Sequence, residues 1–209
     1  MTSPSGRPSA RQRQARESFG SAAAAIGPVV PGMSVFLLTR GQFSMLDMVL
    51  HILNEVGPAS VSVWTWAIAD YEVEAMVALM ASAAILRGRL IVDRSAEQRS
   101  ASTIAEWRSR FGSEEVRVCK NHAKVARIWT ADRRVLLRGS MNLNWNPRFE
   151  QADVSEGGPE FDLVERVEDE LPVLRAGASN LEADAASGLG SAYEKSTLAM
   201  FHGVRPWSK

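Results

Sequence analysis

The 209-residue chain has one cysteine, two tyrosines, three histidines, four lysines and no net charge. Each shortage excludes something. A lone cysteine, Cys119, forbids an intramolecular disulfide and fits a reducing compartment. Within the apparent strand EVRVCK it reads as a small buried residue rather than a reactive thiol. No apolar run reaches the ~20 residues of a membrane helix. The longest, AMVALMASAAIL at 75–86, stops well short, so a membrane partner is not expected. Zero net charge gives no compositional argument for nucleic acid. The excess of 20 Arg over 4 Lys follows as readily from genome composition as from phosphate binding. His, Cys, Asp and Glu nowhere fall at metal-ligand spacing, so neither a metal nor another cofactor is expected. No internal repeat is visible.

What remains is ample for a core. A 45% hydrophobic composition over this length supports one α/β domain with extensions. The first 28 residues hold four Arg and one acid and lack the continuous apolar stretch of a secretory signal. Residues 1–31 are therefore expected to form a disordered basic arm able to touch polyanions, in a cytoplasmic protein of bacterial or phage type.

The pattern then alternates. SVFLLT (34–39) reads as a buried strand. SMLDMVLHILNEV (44–56) spaces Leu46, Val49, Leu50, Leu53 and Val56 as a helix does, stopped by Gly57-Pro58. SVSVWTW (60–66) alternates as a strand. DYEVEAMVALMASAAILRG (70–88) reads as one long helix capped by Asp70 and Gly88. RLIVDRS is a further strand, SASTIAEWRSRFG (100–112) a further helix, and EEVRVCK a strand leading to a hairpin. The order β-α-β-α-β-α-β-β predicts an α/β fold with a mixed, mainly parallel sheet flanked by helices over 32–155. Residues 156–209 are expected to add an acidic helical extension and tail. In it Phe161, Val164, Val167 and Leu171 share one helix face, and Phe201 and Trp207 suggest docking of the tail, on this or another subunit.

The chemistry concentrates in NHAKVARIWTADRRVLLRGSMNLNW, 121–145. On a strand His122 and Lys124 would share a face, as would Ser140 and Asn142 on the partner strand. A turn centred between Asp132 and Arg133 sets Lys124 opposite Met141 and gathers the four polar side chains at one end of a ribbon. Gly139 permits close approach there. A bare His-x-Lys is usually a surface pair. Coupled at hairpin distance to Gly-Ser-x-Asn, it suits a phosphodiester. Lys supplies charge, Ser and Asn supply neutral hydrogen bonds, and His serves as nucleophile or proton carrier.

These motifs resemble the phospholipase D superfamily, with its His-x-Lys, a following Asp, then Gly-Ser and Asn. The likeness runs over roughly 34–155 and is strongest to small single-motif bacterial endonucleases. It takes in VSVWTWAIADYEVEAMVALM, RLIVD and SAEQRSASTIAEW. The resemblance implies that His122 is the nucleophile, that Lys124, Ser140 and Asn142 hold the phosphate, and that Glu150 orients a histidine. Trp129 stands near where the motif carries its Asp; Asp132 lies further on, in a hairpin about three residues longer. One motif is half of a family site. His51, inside a helix and without a Lys two residues on, and the unsupported His202 cannot complete it. A homodimer is thus expected to bring two copies of His122 to one phosphate, without metal.

Charge changes sign past the hairpin. Residues 120–148 hold seven Lys/Arg against Asp132; 150–184 hold eleven Asp/Glu against Arg166 and Arg175. The acidic run reads as a solvated helix face, or as a shield over the basic site. Lys120, Arg127, Arg133, Arg134, Arg138 and Arg148 are the candidate nucleic-acid contacts. Three functions compete: a nuclease-type phosphodiesterase, a catalytically silent module that binds nucleic acid or assembles with proteins, and a lipid phosphodiesterase.

Overall fold

The computed structural model describes residues 12–18 and 20–188. They form eight strands and seven α-helices. In chain order they are β1 (Gln12–Ser18), α1 (Ala22–Ile26), β2 (Met33–Thr39), α2 (Met45–Val56), β3 (Ala59–Thr65), α3 (Asp70–Ala81), β4 (Ile85–Asp93) and α4 (Arg94–Arg99). There follow α5 (Ala101–Phe111), β5 (Val116–Cys119), β6 (Val125–Trp129), β7 (Arg134–Gly139), β8 (Glu150–Glu156), α6 (Pro159–Glu170) and α7 (Asn180–Ala186). One mixed sheet runs β1-β2-β8-β7-β6-β3-β4-β5. The expected α/β class holds, but the antiparallel share is larger than expected. β1–β2, β3–β4 and β4–β5 are parallel; the other four pairings are antiparallel. The difference comes largely from β8, which inserts between β2 and β7. Its sequence EQADVSE looks polar, yet Ala152 and Val154 alternate into the core.

Local chemistry sets the elements. α2 opens on a reciprocal cap, in which the Asp47 N–H donates to Ser44 Oγ and the Ser44 N–H to Asp47 Oδ2. It closes where Gly57, at φ 82°, turns its N–H back to the Leu53 carbonyl. The expected helix 70–88 ends at Ala81 instead. Ala83 turns at φ 60°, and the chain enters β4 at the buried Ile85. Gly88 is therefore no cap; it lies in β4, where a side chain would collide with the Phe111 ring. Nor does Asp70 cap α3. It is the first helical residue, and it accepts a hydrogen bond from Thr103 Oγ1. The helix expected over 100–112 breaks from α4 at Ser100 and ends at Gly112.

Part of the expected disordered arm is ordered. β1 pairs with β2, and the Arg16 guanidinium donates to the Ala25 and Ile26 carbonyls, both at 3.0 Å. Those are the open C-terminal acceptors of α1, whose Ala22, Ala25 and Ile26 are buried. Residues 1–11 and the tail from 189 on, with His202, Phe201 and Trp207, lie outside the described residues.

The sheet has two unlike faces. Val61, Val63, Ala126, Ile128, Val135, Leu137 and Val154 join the apolar core with α2, α3 and α5. The other face presents Ser62, paired with Arg89 on one side and Arg127 on the other. α6 lies over it, anchored by Phe161. Glu168, with no exposed surface, accepts hydrogen bonds from Ser62 Oγ (2.5 Å), Trp64 Nε1 (2.7 Å) and Arg127 (2.7 and 3.1 Å). The acidic run is thus neither only a solvated face nor a shield over the site. Its inner edge is the counter-charge of the sheet.

Candidate active site

His122 and Lys124 are not on a strand. β6 begins at Val125, and 120–124 form a loop leaving β5. Two polar residues hold that loop. Asn121, almost wholly buried, donates its side-chain N–H to the Thr65 carbonyl (3.1 Å) and accepts from the Ala123 N–H (2.8 Å). Its own backbone N–H donates to Asp93 Oδ2 at 2.9 Å. Burial pushes the Asp93 carboxyl up, but hydrogen bonds from Ser95 and Asn121 outweigh it, so its pKa lies below the ordinary aspartate value. Neither residue was singled out from the sequence. The available signals were an Asn next to the His-x-Lys and an Asp closing a buried strand ahead of a Ser-rich helix.

The hairpin register also differs. Val125 pairs with Arg138, and the turn is Thr130–Arg133, closed by the Thr130 N–H on the Arg133 carbonyl. Lys124 therefore stands opposite Gly139, not Met141; the Gly139 N–H donates to the Lys124 carbonyl at 3.0 Å. The close approach at Gly139 is made by β8, since a Cβ would strike the Gln151 carbonyl. Ser140 follows, its hydroxyl donating to Glu150 and accepting from the Gln151 N–H at 3.0 Å. Asn142 Oδ1 accepts from the Trp66 N–H at 3.2 Å. The Trp66 ring stands beside His122, with centroids 5.7 Å apart.

Lys124 is 7% exposed, whereas His122 is open to solvent. Lys124 Nζ lies 3.0 Å from His122 Nδ1 and donates to the His122 carbonyl at 2.6 Å. Burial lowers the Lys124 pKa, and the Glu150 carboxylate opposes that shift. An ammonium at Nδ1 makes that nitrogen the acceptor, so a neutral imidazole here carries its proton on Nε2. Glu150 contacts Ser140 rather than the chain's own imidazole. Cys119 is buried and its thiol is pushed up to about 11 by burial. His51 is a helix residue whose Nε2 lies 2.8 Å from the Gly27 carbonyl.

The basic residues divide sharply. Arg127 is buried beneath α6 and unavailable to any ligand, because strand alternation turns it to the Glu168 face. Arg133 bridges Glu156 at 3.2 Å and the Val29 carbonyl at 2.6 Å. Arg134 pairs with Asp162, and Arg138 lies 3.9 Å from Glu160. Lys120 faces Asp184 at 3.6 Å. Arg148 is exposed in the β7–β8 loop. Asp132 caps nothing at the site; it sits exposed in the turn. Trp129 stacks beneath the Arg127 guanidinium at 4.5 Å.

Among the described residues no three His, Cys, Asp or Glu side chains converge, and no helix is long and apolar enough to cross a membrane. A cavity of about 580 Å³ opens between α6 and α7, where Ser187 of its lining accepts from the Lys120 N–H at 2.6 Å. Its described lining includes Glu170 and Glu182 and no basic side chain, so it does not suit a phosphodiester.

No family model and no curated protein matches the chain. Solved structures that resemble it include a polyphosphate kinase from Porphyromonas gingivalis, at TM-score 0.44 and 15% identity, over 82% of this chain and 32% of that one. A phosphatidylserine synthase from Haemophilus influenzae Rd KW20 matches at TM-score 0.47 and 15% identity, over 80% and 46%. TrmBL2, an archaeal chromatin protein, matches at TM-score 0.41 and 10% identity, over 71% and 55%. The chain thus spans between a third and a little over half of those proteins.

Proposed function

We propose that the chain is a metal-independent phosphodiesterase of phospholipase D type, acting as a nuclease at a site shared by two subunits. The observation that carries this reading is the pairing of an open imidazole with a buried ammonium, His122 and Lys124. Ser140, Asn142 and Glu150 lie at the same end of the sheet. In this reading Lys124 holds the charge that builds on a non-bridging oxygen, while Ser140 and Asn142 orient the diester. His122 Nε2 of one subunit attacks phosphorus and forms a phosphohistidine. His122 of the second protonates the leaving oxygen and then activates water. The second His122 acts as an imidazolium, protonated on both ring nitrogens, so that losing the Nε2 proton leaves a neutral ring able to take one from water. The attacking imidazole needs its proton on Nδ1, so Lys124 Nζ must leave that nitrogen for the phosphate, and Glu150 of the second subunit is the carboxylate proposed to hold the proton.

The test is turnover of DNA, RNA and a chromogenic phosphodiester in EDTA, with light scattering on the same preparation. A dimer whose activity vanishes with His122→Asn, and whose quenched wild type carries an acid-labile, base-stable phosphoramidate at His122, is the expected result. Metal-free turnover surviving His122→Asn, or activity in a strict monomer, sinks the two-histidine mechanism. A well-folded dimer inert on every phosphodiester establishes the alternative, a silent module. That alternative draws on Trp129 standing at the motif Asp position and on the Ser140 hydroxyl already committed to Glu150.

A further inference from the structure

Four aromatic side chains are exposed among the described residues: Trp66, Tyr71, Trp145 and Phe149. Isolated exposed aromatics need no explanation. These four all fall at one end of the strands, in the β3–α3 connection, the first turn of α3 or the β7–β8 loop, the end that carries His122 and Lys124. Two of them are covered in the same manner. The Arg99 guanidinium lies 4.8 Å from the Trp66 ring centroid, and that of Arg40 lies 5.1 Å from Phe149. Trp66 is 38% exposed and Phe149 62%.

Their placement follows from strand order. Phe149 precedes β8, whose Glu150 pairs with Thr39 at the end of β2; Trp66 follows β3. Between β8 and β3 lie β7 and β6, which deliver Ser140 and Lys124. Three strand spacings, roughly 14 Å, therefore separate the two Arg-aromatic pairs. The phosphate-holding residues stand between them. Cations beside open π-faces, on both sides of a phosphodiester site, are the chemistry of a base-stacking platform.

We infer that the substrate is single-stranded nucleic acid, gripped by stacking a base on Trp66 and another on Phe149, one on each side of the reacting phosphate. This rests on the phosphodiesterase reading and adds its substrate class. Duplex bases, already stacked and paired, cannot reach either ring without opening. Stacking tolerates any base, so the preference is for unpaired strand rather than for sequence. A second copy of the chain packing on the same aromatics is the competing occupant. Because the proposed two-subunit site brings a second copy to this end of the sheet, the test separates the two occupants.

The probes are a short oligothymidylate, an abasic deoxyribose-phosphate strand of equal length and the matching duplex, bound to the His122→Asn chain. The oligothymidylate is expected to bind most tightly. Trp66→Ala and Phe149→Ala should each weaken it by roughly fivefold or more while leaving the abasic strand unchanged. Trp66→Phe, which keeps a π-face, should restore most of the loss and excludes simple misfolding. Equal affinity for the base-bearing and abasic strands, or tighter duplex binding, overturns the proposal. So does a loss of dimer mass in the Ala variants with unchanged strand affinity, which assigns the rings to an interface between copies. Wild type that cleaves all three probes alike refutes the stacking alone. Wild type that neither binds nor cleaves any of them refutes the phosphodiesterase reading as well.

Discussion

Removing the Glu168 carboxylate tests whether α6 is the counter-charge of the sheet or merely a helix resting on it. Glu168 has no exposed surface; Arg127 beside it is 2% exposed and Arg89, at 3.7 Å, is nearly as buried. Arg127 Nη1 also lies 3.0 Å from Glu165, without hydrogen-bond geometry, so Glu165 is a poor substitute. Glu168→Ala strands the Arg127 charge, and breaking a buried pair from one side costs about 3–5 kcal/mol. It also leaves Ser62 Oγ and Trp64 Nε1 without their acceptor, at roughly 1–3 kcal/mol each when no water replaces it. These losses overlap because they share one carboxylate. A domain of ordinary stability, ~5–15 kcal/mol, would lose a large fraction. With a urea slope of ~1–3 kcal/mol per molar, the unfolding midpoint should fall by more than ~1 M. Arg127→Met with Glu168→Met should recover at least half of the loss, since a matched apolar pair leaves no stranded charge. Glu170→Ala is the control. Its partner Arg166 is 2.9 Å away, but both side chains are well exposed, and such pairs contribute at most ~1 kcal/mol. A Glu168→Ala midpoint indistinguishable from Glu170→Ala would refute the account.

Three further outcomes follow from the site. Asn121→Ala removes the side-chain bonds to Thr65 and Ala123; turnover should fall at least tenfold while the chain stays folded, and an unchanged kcat would show that the loop positions itself. Burial disfavours the Lys124 ammonium, so its charge is lost as pH rises through a value below that of an ordinary lysine. Inorganic phosphate affinity should therefore fade on the basic side earlier than for a free lysine, and Lys124→Arg should carry that limb upward. Arg133→Ala with Arg134→Ala should leave the salt dependence of strand binding unchanged, because both guanidinia are held by Glu156 and Asp162; Arg148→Ala should lower the slope by ~0.7.

Much of the fold was legible because its signals are local. The α2 cap, the glycine stops after Val56 and Phe111 and the alternation in β3 each depend on a few neighbouring residues. What failed depended on partners far away in sequence. β8 looks polar because only Ala152 and Val154 of its seven residues face the core. β1 carries two Arg and a Glu, and its order comes from pairing with β2 and from Arg16 holding the end of α1. The merging of α3 with β4 arose because AAIL continues an apolar helical run; only burial against Ala59 draws Ile85 into the sheet. At the site, residue types were readable but geometry was not. A turn misplaced by one residue moved the partner of Lys124 by two, from Met141 to Gly139. Asn121 is hard to read because a buried amide bonding the backbone of Thr65, Ile91 and Ala123 leaves no periodic trace.

The charges show the same limit more sharply, and they bear on function. Read along the chain, seven basic residues of 120–148 precede eleven acids, and the first group looks like a polyanion-binding surface. In the fold Arg127, Arg133, Arg134 and Lys120 each face an acid from 156–184 across the sheet. The net charge of zero is thus achieved locally, face by face, and the hairpin has little field left to attract a polymer. The loops at the end that carries His122 differ. Lys124 meets one carboxylate, Glu150, which is shared with Ser140, while Arg99 leans on an aromatic ring and Arg148 stands in solvent. Any affinity for a phosphodiester must therefore be generated at that end, within a few strand spacings of His122. A protein whose long-range field is cancelled but whose reactive end stays cationic gains little from sliding on duplex backbone. On the proposed function, short-range contacts must hold the substrate, and Trp66 and Phe149 are the side chains we infer to provide them.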